Sequence, residues 1–335
     1  MTSLIWLMFD SFLVSFFLQI FIIFVSHKYH LFLDHHSSSE PQKFHQISTP
    51  RSGGIGIFAG ILFLLLTPFG WKLVFSIFLA FLSGILEDIH RGIKPKVRLF
   101  LQLFSATSAV LLTHSVITYL GLGIQLPYFL GVFFSIFSIV GLMNAVNIID
   151  GFNGLASGIV FLILIAFAIV SHQVGNHEIW KLTLITLSAL VGFMLFNIPK
   201  GKIFLGDGGA YLLGFITALA GIFLASNYEK VSPWFILAVL IYPVWEVLFS
   251  IYRKVKEGKS PLEPDNRHMH MLIYRHITHN NPKTSLFIVL VCMPFILIPT
   301  LFAHNSGANF MTASLFILCY HWFYKYLLKQ ERSAS

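Results

Sequence analysis

Charge is what this 335-residue chain has least of: Asp, Glu, Lys and Arg make up 11% of it, against about one quarter in an average soluble chain. With 56% hydrophobic residues and a mean hydropathy of +0.78, the chain has too little polar surface to face water all round. A soluble globular enzyme is excluded. Unpaired charges and unsatisfied amides cost several kcal/mol each in hydrocarbon, so the backbone must close its own hydrogen bonds in bilayer-spanning helices. Cysteine is also scarce: Cys292 and Cys319 both sit in apolar runs, which excludes a secretory disulfide framework and argues against redox chemistry. No basic residue precedes Lys28 and no small-residue cleavage site follows the first apolar run, which therefore reads as a retained span, not a removed signal.

What is present is a series of long apolar stretches. A hydrocarbon core about 30 Å thick takes roughly 20 residues of helix. On that measure eleven spans are expected, near 4–25, 54–69, 72–86, 98–113, 127–147, 155–171, 180–198, 209–226, 233–251, 284–303 and 309–327. Eleven spans put the two termini on opposite sides, and basic residues decide which. One set of connections, together with the end of the chain from Lys325, holds 19 of the 22 Lys and Arg; the other holds only Lys72, Lys181 and Lys230. Basic residues stay in the cytoplasm, so the N-terminus is expected outside and the C-terminus inside. The net charge of +8 is then mainly a topology signal that also suits anionic lipid headgroups, and it needs no nucleic acid.

The chemistry is concentrated on the expected cytoplasmic side. Glu87 and Asp88 end the third span; two adjacent carboxylates repel, and acids at a helix C-terminus oppose its dipole, so a cation or proton is expected to compensate them. Asn144-Ala-Val-Asn-Ile-Ile-Asp-Gly-Phe-Asn-Gly154 crowds Asn144, Asn147, Asp150 and Asn153 into a helix exit at membrane depth, where such groups line water-filled cavities. Lys202-Ile-Phe-Leu-Gly-Asp-Gly-Gly209 sets Asp207 between glycines just before a helix, where backbone approaches a ligand closely; an N-capping aspartate is the plainer reading. Thr49-Pro50-Arg51-Ser-Gly-Gly54 carries a guanidinium suited to bidentate phosphate recognition. In the largest inner loop, 252–283, His268 and His270 stand two apart and would face one ligand from an extended stretch. No cysteine accompanies them, so oxygen ligands and Mg²⁺ fit better than zinc.

These residues together resemble the polyprenyl-phosphate N-acetylhexosamine-1-phosphate transferase superfamily, glycosyltransferase family 4, over nearly the whole chain. The matching elements are Thr-Pro-Arg-x-Gly-Gly at 49–54, the acidic pair 87–88, Arg98 with Gln102, Asn-Ala-x-Asn-x-x-Asp-Gly-x-x-Gly-Leu at 144–155, Phe-Leu-Gly-Asp at 204–207 and His-x-His at 268–270. The resemblance implies transfer of a sugar 1-phosphate from a UDP-N-acetylhexosamine to undecaprenyl phosphate, with release of UMP and Mg²⁺ (or Mn²⁺) as cofactor. It implies that Asp207 binds the metal with Asp88 nearby, and that Glu87, where many relatives have Asp, takes a proton from the lipid phosphate or assists the metal. Asn144, Asn147, Asp150 and Asn153 fall on the nucleotide side, although Asn153 stands where many relatives have Asp. Phe204 matches a uracil-stacking position, and Lys43, His45, Arg51, His268 and His270 match phosphate contacts.

The expectation is therefore an all-α, polytopic membrane transferase, a single domain over 1–335, in a bacterial inner membrane, with its active site on the cytoplasmic face and homo-oligomers compatible with it. A single His-x-His and the Thr-Pro-Arg at 49–51 resemble the branch that initiates polysaccharides such as O-antigen and lipopolysaccharide, with UDP-GlcNAc or a deoxy relative as donor. The alternative within the family is phospho-MurNAc-pentapeptide transfer in cell-wall synthesis. Outside it, a proton-coupled transporter would use the intramembrane acids Asp10 and Glu246.

Overall fold

The computed structural model describes residues 2–31, 49–90, 92–261, 263 and 265–334; Lys43 and His45 lie outside them. The chain runs through α1 (Thr2–Tyr29), α2 (Gly53–Ile61) with a 3₁₀ turn at Leu62–Leu66, α3 (Pro68–His90) and α4 (Pro95–Thr113). A small antiparallel hairpin, β1 (Tyr119–Gly121) and β2 (Ile124–Gln125), leads into α5 (Tyr128–Ile149), α6 (Leu155–Gln173), α7 (His177–Asn197) and α8 (Gly206–Asn227). Then come α9 (Pro233–Val239), α10 (Ile241–Lys256), the short α11 (Met269–Ile273) continued by a π-turn at Tyr274–Thr278, α12 (Asn281–Leu301) and α13 (Ser306–Ala334). Local signals explain several starts. Asn176, Ser232 and Asn280 accept hydrogen bonds from the first free N–H groups of α7, α9 and α12, and proline occupies the first turn of α4, α9 and α12, where its missing N–H costs nothing.

Each of the eleven apolar stretches is helical, but they do not all span in the same way. Among the described residues eight helices are long and apolar enough to cross a membrane alone, and nine if one bent pair is a single span. The bent pair is α9 with α10, turned by 77°. Pro243 has no N–H to offer Val239 and its ring crowds that carbonyl, so the ladder breaks there. The stretch expected at 54–69 is only the short helical run 53–66, and α13 interrupts its apolar run with Asn309, Thr312 and His321 before a charged end.

Helix α8 is the hub, buried along nearly its whole length by α3, α5, α2 and α6. Its first turn is gripped by glycines. A Cβ on Gly54 of α2 would stand 2.4 Å from the Gly209 nitrogen, and one on Gly84 of α3 would stand 2.3 Å from the Asp207 carbonyl carbon and oxygen. Backbone thus meets backbone at the residue on which the site is centred.

Candidate functional site

Five separate segments of the sequence meet at one end of the bundle around a cavity of about 690 Å³. Its wall carries Arg51, Arg98, Asn144, Asn147, Asp150, Asn153, Phe204, Asp207, His268 and His270. The hairpin lies at the far end, because α4 and α5 each run between the cavity and the hairpin.

Three backbone hydrogen bonds dock the Arg51 segment on the approach to α8: Phe204 N donates to Pro50 O (2.8 Å), Gly53 N to Phe204 O (2.9 Å) and Gly54 N to Leu205 O (3.0 Å). The Asp207 carboxylate is then met from three elements. Asn147 Nδ2 donates to Oδ1 at 3.0 Å, Arg51 approaches Oδ1 at 3.3 Å, and Arg98 donates to Oδ2 at 3.1 Å. Asp88 stands behind this carboxylate: Oδ1 accepts from Asp207 N (3.0 Å) and Oδ2 from Gly208 N (2.9 Å). These are the free N–H groups of a helix start, where a negative charge is favoured.

The expected acidic pair is therefore divided. Consecutive helical residues point about 100° apart, and while Asp88 turns to α8, Glu87 turns to the loop after its own helix. Its Oε1 accepts from Gly92 N (3.1 Å) and its Oε2 from Ile93 N (2.9 Å). Neither carboxylate is among the residues lining the cavity: Asp88 is taken up by the start of α8 and Glu87 by the loop after α3. The longer Glu side chain serves as a loop clamp. Glu87→Gln keeps one acceptor oxygen, so its expected loss of turnover at saturating Mg²⁺ falls well short of the roughly 10²–10⁴-fold that a general base contributes. Asp88→Asn, which turns an NH₂ toward one of two buried N–H donors at the start of α8, is expected to cost more. A loss of full general-base size in Glu87→Gln would return it to the chemistry.

Asp150 caps the end of α5 on the same cavity wall, and its carboxyl accepts no hydrogen bond from the described residues. Burial pushes its pKa well above the usual carboxylate range; the Arg51 charge opposes that rise, and Asp207 and Asp88 add to it. Asn144 is bound to Gln102 Oε1 (2.9 Å), and Asn153 Nδ2 to Pro199 O (3.2 Å). Phe204 lines the cavity. The histidines do not sit on an extended stretch as expected. His268 is the residue before α11 and His270 lies in its first turn, yet their rings stack in parallel, 5.4 Å apart. His270 is fully buried edge-on to Phe152, and burial, aided by the neighbouring His268, lowers its pKa to about 3, so it is a neutral group at physiological pH.

Among the described residues no three His, Cys, Asp or Glu form a metal-holding group. Mg²⁺, however, is commonly held by one or two carboxylates, with substrate phosphates and water completing its shell. Asp207 and Asp150 supply that many hard oxygen donors on one wall. Around them three carboxylates, with Asp88, face two guanidiniums, so the donor set fits a divalent cation.

In the sequence Arg98 belongs to a motif without a stated role; the structure puts its guanidinium on Asp207. Its signal was an arginine in the first turn of an apolar helix. Tyr211 on the same wall carried a quieter one, four residues after Asp207 and so on the same helical face.

The family model described as glycosyl transferase family 4 matches residues 70–225. The chain is 30% identical over 287 residues to the undecaprenyl-phosphate alpha-N-acetylglucosaminyl 1-phosphate transferase of Thermotoga maritima, covering 85% of this chain and 87% of that one. It is 28% identical over 252 residues to a probable undecaprenyl-phosphate N-acetylglucosaminyl 1-phosphate transferase of Bacillus subtilis, covering 68% and 66%. It is 32% identical over 212 residues to the phospho-N-acetylmuramoyl-pentapeptide-transferase of Streptococcus pneumoniae, covering 59% and 63%.

Proposed function

The chain belongs to glycosyl transferase family 4, and from that premise we propose that it transfers a sugar 1-phosphate from a nucleoside diphosphate sugar to a polyprenyl phosphate. The observation that carries this reading is Asp207, presented between two guanidiniums and an amide on the wall of a cavity that also reaches Asp150 and His268. Two multiply charged phosphates have to meet for such a transfer. An oxygen of the lipid phosphate attacks the phosphorus that bears the sugar, the bond from that phosphorus to the nucleotide breaks, and the nucleoside monophosphate leaves. Arg51, Arg98 and His268 neutralise and orient phosphate oxygens. Asn144, Asn147, Asp150 and Asn153 face the nucleotide, with Phe204 stacking on its base. A Mg²⁺ ion held by Asp207 would lower the charge repulsion between the two phosphates.

The proposed donor is a UDP-N-acetylhexosamine, UDP-GlcNAc or a deoxy relative, and the acceptor undecaprenyl phosphate. Two observations support this choice over the muramyl-pentapeptide nucleotide. The two relatives matched over the larger shares of this chain are named as N-acetylglucosaminyl 1-phosphate transferases, and the loop carries His268-Met269-His270, not three successive histidines. A donor panel with undecaprenyl phosphate and Mg²⁺, read as UMP release, tests it. UDP-GlcNAc or its deoxy relative is expected to be preferred over UDP-MurNAc-pentapeptide by on the order of 100-fold in kcat/KM. The reverse preference overturns the donor, while UMP release from none of them overturns the reaction.

We further propose a single-domain inner-membrane protein with eleven spans, the N-terminus outside, and the cavity on the cytoplasmic side, supported by the 19-to-3 bias of basic residues. In a variant lacking Cys292 and Cys319, a cysteine at Gly123 is expected to react with an impermeant maleimide in intact spheroplasts, and one at Gly258 only after lysis. The opposite labelling pattern inverts the topology.

A further inference from the structure

Glu246 is a carboxylate 1% exposed inside the bent α9–α10 pair, at a depth where an ionisable group needs a reason. Three donors converge on it, two from the start of α11 and one from α13. His268 Nδ1 lies 3.0 Å from Oε1, Met269 N donates to Oε1 at 3.0 Å, and Tyr320 OH of α13 donates to Oε2 at 3.0 Å. An ionised carboxylate only accepts hydrogen bonds, so His268 must carry its proton on Nδ1. That leaves Nε2 as the only ring nitrogen with which His268, on the cavity wall, can meet a ligand. Asp265 stands 3.7 Å from Nε2 and is itself held in place: Ser250 and Arg253 donate to its Oδ2, and Arg267 N donates to Oδ1 at 3.0 Å. Stacked beside His268, His270 has no partner for its Nδ1 among the described residues, so His268 is the member of the pair that two carboxylates hold in place.

We propose that Glu246 is a positioning residue for the transfer. It fixes the ring of His268 through Nδ1, so that Nε2 is the nitrogen turned toward the phosphate oxygens of the bound substrate, and Tyr320 holds Glu246 for that task. The arrangement is a carboxylate orienting an imidazole that in turn contacts the reacting group. It rests on the reading of His268 as a phosphate contact. It also accounts for an intramembrane acid that, on sequence alone, suited proton-coupled transport. A plain structural staple joining α10, α11 and α13 would account for the same bonds, so the test must separate the two.

Glu246→Gln keeps the shape and one acceptor oxygen, but removes the negative charge that strengthens the hold on His268 Nδ1. It is expected to lower kcat about tenfold or more, with the donor KM changed less than about twofold and the melting temperature in detergent unmoved. In a His268→Gln background the same change is expected to have almost no effect, because Glu246 would then have nothing to orient. Equal loss in both backgrounds, or no loss in the parent enzyme, overturns the proposal. An unaltered kcat in His268→Gln alone overturns instead the reading on which it rests. Should Glu246→Gln not yield monodisperse protein, Tyr320→Phe serves in both backgrounds: it removes one donor to Glu246, and it too should lower kcat only where His268 is present.

Discussion

Asp207→Asn is expected to fold, insert and purify like the parent protein and to lose turnover by about 10²–10³-fold or more. The substitution keeps the size of the side chain and its carbonyl oxygen, so Asn147 still finds an acceptor. It removes the charge that Arg51 and Arg98 hold from two sides at 3.3 and 3.1 Å. Two guanidiniums then face each other across a neutral amide, and an NH₂ points at one of them. The same substitution takes away the carboxylate proposed for Mg²⁺, so the parent enzyme is expected to lose activity in excess EDTA and to regain it on adding Mg²⁺. Transfer of radiolabelled sugar 1-phosphate into butanol-extractable lipid measures both effects. Near-normal turnover of Asp207→Asn would remove this residue from the centre of the site, and full activity in chelator would remove the metal.

Gly84→Ala is expected to have an effect of comparable size from a residue that is not on the cavity wall. Gly84 lies in the middle of α3, where alanine is the better helix former, so on local grounds the change should stabilise the helix by about 1 kcal/mol. The tertiary structure reverses that sign. The new methyl group would lie 2.3 Å from the Asp207 carbonyl carbon and oxygen and 2.4 Å from Gly208 N, and backbone atoms cannot rotate away. Either α3 and α8 part or the first turn of α8 shifts, and with it the carboxylate that Arg51, Arg98 and Asn147 all address. A displacement near 1 Å at a reacting centre can cost about 10²-fold. The expected result is a fall of that order in kcat with a lowered melting temperature. Gly141→Ala is the control, since nothing lies within 4 Å of its added Cβ, and it should behave like the parent. Unchanged turnover in Gly84→Ala would mean that the α3–α8 contact does not set the position of Asp207.

Much of the candidate site was legible because its residues recur in short local patterns. Asn147 and Asp150 belong to one helix exit, Asp207 follows a glycine at a helix start, and Arg51 precedes a Gly-Gly pair. Each pattern says what a segment does to its own backbone. The division of Glu87 from Asp88 was within reach of the same reasoning, since the helical period sends neighbours in different directions, but which of the two would face α8 depended on where α8 lay. The partner of His268 was not legible at all. Glu246 is 22 residues away and Tyr320 lies in another helix, with no pattern joining the three.

The sequence by itself determined the solvent in which this protein folds, the helical character of its eleven apolar stretches and the family to which its motifs belong. These follow from properties counted along the chain: hydropathy over about 20 residues, the placing of Lys and Arg, and glycines and amides at fixed short spacings. The tertiary structure alone decided that Arg98 and Asp207, 109 residues apart, form an ion pair, that Asp88 is spent on the first N–H groups of α8, that Pro243 bends a span by 77°, and that an acid suited to a transporter holds a histidine. The physical reason is one of range. Hydropathy and helical period act through neighbours in the chain, whereas an ion pair or a glycine contact exists only once packing has brought distant segments within a few ångströms.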